Sequence, residues 1–122
     1  MIVVAVISII DDDPAQCASL ARLLHSLGYE TCRFASAEAF LAWEGAYCCD
    51  CIITDVQMPG MSGIDLKRTL VARHCEVPVI MITGRTNSVV ETEALSSGAL
   101  CLLRKPFHAE TLKEYVRRAL AR

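Results

Sequence analysis

Short β-branched runs alternate with longer segments of helical period along this chain, and that alternation constrains the fold more than any other feature. The run Val3 to Ile10 is continuously apolar apart from Ser8 and has the pattern of a central parallel strand. Glu30 to Phe34, Cys49 to Asp55, VIMIT ending at Thr83, and Ala99 to Arg104 are the further predicted strands. Between them lie helical signals. After Pro14, apolar residues fall at Cys17, Leu20, Ala21, Leu24 and Leu27, and Gly28 closes that helix. Ser36 caps a short helix running through Trp43. Ser62 with Asp65 predicts a capping box before a helix to about Arg73, and Ser88 with Glu91 predicts another before a helix to about Ser97. Leu112, Tyr115, Val116, Ala119 and Leu120 mark the inner face of a last helix.

Strands alternating with helices imply a parallel sheet with right-handed crossovers. The expected fold class is α/β: a three-layer doubly wound (βα)5 sandwich, flavodoxin-like, with parallel sheet order 2-1-3-4-5, the order being taken partly by analogy. With 122 residues, 53% of them hydrophobic, the chain is expected to form one domain over 1–122 with both sheet faces covered. A net charge of −2 removes a bulk basic field for nucleic acid, so no direct DNA binding by this domain is expected. No apolar run reaches the roughly 18 residues of a membrane span. The first run lacks a basic flank and leads straight into aspartates, so it reads as a strand and not a signal peptide. Seven cysteines without an export signal are expected to stay reduced, which points to a cytoplasmic location.

The polar residues at the strand ends carry the chemistry. Asp11 and Asp12 end the first strand, Asp55 the third, Thr83 the fourth and Lys105 the fifth. In a 2-1-3-4-5 sheet the first and third strands are neighbours at the switch point, so these groups converge at one edge. Carboxylates gathered there repel one another and raise each other's pKa values. A hard divalent cation removes that penalty, and oxygen ligands with open water positions suit Mg²⁺. A cation, a lysine and a hydroxyl around one carboxylate make a site for an incoming phosphoryl group, with Asp55 as nucleophile.

At these residues the chain resembles the receiver domain of two-component response regulators, of the CheY-like superfamily. IIDDDP is similar to the family's acidic-pair motif, DVQMPGMSG to its phosphoacceptor loop, MITG to its switch-threonine motif and LLRKPF to its lysine–proline motif. FASAEAFL and MPGMSG resemble most the FixJ-like subfamily, whose receivers usually precede a LuxR-type DNA-binding domain. The resemblance implies that Asp55 accepts phosphate from a sensor histidine kinase or phosphotransfer protein. It implies that Asp12, Asp55 and the main-chain carbonyl of Gln57 hold Mg²⁺ directly, with Asp11 helping through water. Lys105 would bind the phosphoryl oxygens, Thr83 would turn its hydroxyl toward them, and the Lys105–Pro106 bond would be cis. Such a domain is not an enzyme in the usual sense: it catalyses only its own phosphorylation and dephosphorylation. The resemblance further implies that it switches conformation to control an output partner or attached effector, with transcription as the output.

Leu102 departs from the family pattern, which often has Tyr or Phe at that place. Gln57 and Arg85 stand where the family flanks the route of the hydrolytic water. Glu91 and Glu93 on the fourth helix, set beside Arg104, Lys113, Arg117 and Arg118, suggest a self-complementary homodimer surface through the fourth helix, fifth strand and fifth helix. A pseudo-receiver, binding partners without phosphorylation, is kept open by Leu102. A flavodoxin-type phosphate site is opposed by the aspartates of the first loop. Cys48 and Cys51 have C-x-x-C spacing, but buried small hydrophobes are the favoured reading of the cysteines, and surface roles that of His25, His74 and His108.

Overall fold

The computed structural model describes residues 4–43, 49–84 and 87–121. Cys48 of the C-x-x-C pair, Arg85, and the start of the Val3 to Ile10 run lie outside the described residues. Five strands, β1 (Val6–Ile10), β2 (Glu30–Phe34), β3 (Cys51–Asp55), β4 (Val79–Thr83) and β5 (Cys101–Arg104), form one parallel sheet in the order β2-β1-β3-β4-β5. They alternate with α1 (Pro14–Ser26), α2 (Ala37–Ala42), α3 (Gly63–Ala72), α4 (Ser88–Ser96) and α5 (Ala109–Leu120). The doubly wound order, expected partly by analogy, is the order found. No helix among the described residues is long and apolar enough to cross a membrane.

The sheet divides the interior into two layers because successive strand residues face opposite sides. Ile7, Ile9, Ile53, Ile80 and Ile82 pack with the inner faces of α1 and α5. Ile10, Ile52, Val79 and Met81 pack on the other side with Phe40, Leu66, Leu70 and Ala94. Both β3 and β4 are buried along their full length. That is why they read as unbroken apolar runs and not as alternating ones.

The caps follow the sequence at Ser62, where the serine side chain takes Asp65 N–H and the Asp65 carboxylate takes Ser62 N–H. At α4 the expectation is corrected. The N-cap is Asn87, whose side chain accepts from Val89 N–H, and Ser88 is the first helical residue. Asn caps as well as Ser, so the boundary moves by one residue. Glu91 does not close a capping box but pairs with Arg104 on β5. The third strand is also shorter than expected, starting at Cys51: Asp50 instead takes Val6 N–H on its side chain at 2.8 Å.

Candidate functional site

The carboxyl ends of β1, β3, β4 and β5 bring the predicted residues together. Asp11 follows β1 and is 2% exposed; Asp55, the last residue of β3, is 9% exposed; Thr83, the last residue of β4, has no accessible surface. Parallel pairing sets Asp55 beside Ile82 and Thr83 beside Arg104, so the strand ends lie level and Lys105 follows directly at the same rim. One carboxylate oxygen from each of Asp11, Asp12 and Asp55 lies within 4.8 Å of the others. Lys105 Nζ stands 3.4 Å from Asp55 Oδ2. The Lys105–Pro106 peptide bond is cis, as the resemblance implied.

This clustering raises the Asp11 pKa above its ordinary value. Burial is the largest cause, and the charges of Asp55 and Asp12 add to it. The Asp13 N–H, donating to Asp11 Oδ1 at 2.9 Å, and the Lys105 ammonium oppose it. Carboxylates crowded at one buried rim with a lysine on only one of them form a site short of positive charge. Hard oxygen donors from two strand ends, one of them costly to ionise, are a fitting donor set for Mg²⁺.

The loop from β3 to α3 is held by close packing. A Cβ at Gly63 would stand 2.4 Å from the Asp55 carbonyl oxygen and 3.1 Å from Thr54 Cγ2, so only glycine lets α3 start this close to the strand end. Gly63 N–H donates to the Val56 carbonyl, which fixes the turn immediately behind Asp55. Glu38 reaches across from α2 and accepts from Met61 N–H at 3.2 Å. Sequence reasoning missed Gly63 and Glu38. The Ser–Gly pair opening α3 was the available signal for Gly63, whereas nothing local points to Glu38.

Gln57 was expected to act through its main-chain oxygen. Its side chain has a partner as well: Thr83 Oγ1 donates to Gln57 Oε1 at 3.0 Å. Leu102 is partly buried and packs against the second core layer. Four of the described cysteines sit as small hydrophobes in the interior: Cys17, Cys49, Cys51 and Cys101 are buried. His25, His74 and His108 are all exposed.

A family model for the response regulator receiver domain matches residues 7–117. The response regulator protein TmoT of Ectopseudomonas mendocina is 40% identical over 116 residues, covering 95% of this chain and 53% of that protein. The transcriptional regulatory protein FixJ of Azorhizobium caulinodans is 40% identical over 116 residues, covering 95% of this chain and 55% of that protein. This chain therefore spans about half the length of these relatives. The crystal structure of FixJ-N superposes with a TM-score of 0.89 at 34% identity, covering 98% of this chain and 96% of that one.

Proposed function

From its membership of the response regulator receiver family, we propose that this chain takes a phosphoryl group onto Asp55 from a sensor histidine kinase or phosphotransfer protein. The observation that carries this is one nearly buried carboxylate at a strand end, with Asp11 and Asp12 beside it and Lys105 at 3.4 Å. Asp55 is the nucleophile. Its oxygen forms the new O–P bond as the P–N bond of a phosphohistidine breaks, and the imidazole leaves with the electron pair. Lys105 stands where it offsets charge on the transferring oxygens, and Thr83 supplies a hydroxyl to one of them. Asp12, Asp55 and the Gln57 carbonyl would hold Mg²⁺, with Asp11 behind them through water. When bound, the ion neutralises the carboxylates and draws charge from the phosphoryl oxygens. The domain acts on no separate substrate and catalyses only its own phosphorylation and dephosphorylation.

The kinship with FixJ, a transcriptional regulatory protein, supports an output in transcription through an attached effector or partner; a cytoplasmic location is part of the same reading. A homodimer through α4, β5 and α5 is part of the proposal. Glu91 is already paired with Arg104, and Arg117 and Arg118 with Glu114, within one chain. The exposed Glu93 and Lys113 are therefore better placed than those arginines to pair between chains. Exposed pairs add about 0–1 kcal/mol each, so packing by Leu95, Leu100 and Leu102 must supply most of the affinity.

Labelling with a small phosphodonor tests the reading. The wild type should take up phosphate in the presence of Mg²⁺ and lose labelling on chelation, and Asp55→Asn should not label. Full labelling of Asp55→Asn would overturn the assignment. A wild type that never labels, yet still binds partners, would favour the pseudo-receiver.

A further inference from the structure

The hydrogen bond from Thr83 to Gln57 joins two residues at the site's rim and involves none of its carboxylates. Gln57 lies two residues beyond Asp55, on the β3–α3 loop, and is half-buried. Thr83 is wholly buried at the end of the neighbouring strand. The 3.0 Å contact therefore ties the loop that follows Asp55 to the hydroxyl at the end of β4. A threonine hydroxyl has a single proton and donates it to one acceptor at a time. A phosphoryl oxygen on Asp55 and the Gln57 amide oxygen must compete for that proton.

We propose that the Gln57 side chain is a latch on Thr83. It is a positioning residue that holds the hydroxyl in the unphosphorylated orientation and so lowers affinity for a phosphoryl group at Asp55. The inference rests on the phosphoacceptor reading above. Its physical content is a competition between two acceptors. Phosphorylation must break one buried side-chain hydrogen bond before it gains another, and the bond broken belongs to a residue that keeps its main-chain oxygen at the site whatever its side chain does. A side chain of the same length whose thioether is only a weak acceptor takes away most of the competition and leaves the loop's backbone intact. Because the coupling runs through one proton, it vanishes when Thr83 carries no hydroxyl.

The test is a double-mutant cycle with Gln57→Met and Thr83→Val, titrating the full chain with beryllofluoride in saturating Mg²⁺ by calorimetry. Thermal unfolding of each variant serves as the folding check. Gln57→Met should tighten beryllofluoride binding about 3–10-fold, the equivalent of one ordinary hydrogen bond no longer opposing the switch. In the Thr83→Val background the same substitution should change nothing. In the free protein, three-bond couplings should show one Thr83 χ1 rotamer in the wild type and averaging in Gln57→Met. Unchanged or weaker binding by Gln57→Met, or an equal shift in both backgrounds, would overturn the latch while leaving the phosphoacceptor reading intact. A wild type that binds no beryllofluoride would overturn that reading and the latch with it.

Discussion

The two ends of the one sheet are built from the same strands and hold opposite chemistry. At the carboxyl edge, the acidic side chains of Asp11 and Asp55 are buried, with Thr83 beside them. Toward the amino edge, the buried polarizable groups are the thiols of Cys49, Cys51 and Cys101. Burial raises the pKa of all three, that of Cys51 to about 12, so they stay neutral and pack as hydrophobes. Burial also raises the pKa of Asp11, but a carboxyl starts from 3.8 and not 9.0. The same desolvation therefore silences a thiol and leaves a carboxylate under tension. One end of the sheet is optimised for packing. The other is short of positive charge, which is the deficit that the proposed cation would offset.

The largest effect should come from moving a charge to the wrong end. Cys51→Asp places a carboxylate in a fully buried strand with no lysine opposite, and should cost several kcal/mol, enough to unfold the chain in urea titrations at neutral pH. A variant that folds normally would show that the amino edge tolerates charge and would erase the contrast. Gly63→Ala presses a methyl group on the Asp55 carbonyl and should cost about 1–3 kcal/mol and slow phosphate labelling. Gly84→Ala, where nothing among the described residues beyond its chain neighbours lies within 4 Å, serves as its control.

Asp11→Asn sharpens the comparison through pH. The folded Asp11 pKa is raised, so its favourable contribution is fully present below 3.8 and is lost as pH rises through the folded value. Once the unfolded carboxyl ionises, Asp11 weighs against folding. Without metal, Asp11→Asn should therefore be more stable than the wild type at pH 7 and lack that slope in chemical denaturation. Its Mg²⁺ affinity should fall about 10–100-fold, the usual cost of losing an outer-shell partner. Unchanged stability at pH 7 would mean that Asp11 bears no such tension. The smallest effects belong to the caps: Asn87→Ala and Ser62→Ala should each cost about 1 kcal/mol by thermal unfolding. An Asn87→Ala loss with Ser88→Ala neutral would confirm where α4 begins.

The strand ends were legible because each breaks an apolar run with a polar residue, and a parallel sheet brings such breaks to one edge. Asp11, Asp55, Thr83 and Lys105 could all be placed from that pattern. Ser62 was legible because its partner lies three residues away, within one turn. Glu38 on Met61, Gln57 on Thr83 and Glu91 on Arg104 were not, because each joins elements that only the folded sheet brings together. The start of α4 was missed by one residue because Asn87 and Ser88 are both good caps and only backbone geometry chooses between them.

Reductive trapping of the phosphorylated protein tests the central claim most directly. Borohydride reduces an acyl phosphate of aspartate to homoserine, and peptide mass spectrometry then locates the residue changed. After treatment with a small phosphodonor and Mg²⁺, homoserine should replace aspartate at position 55 alone. Homoserine at position 11 or 12, or at none of the three, would contradict the account.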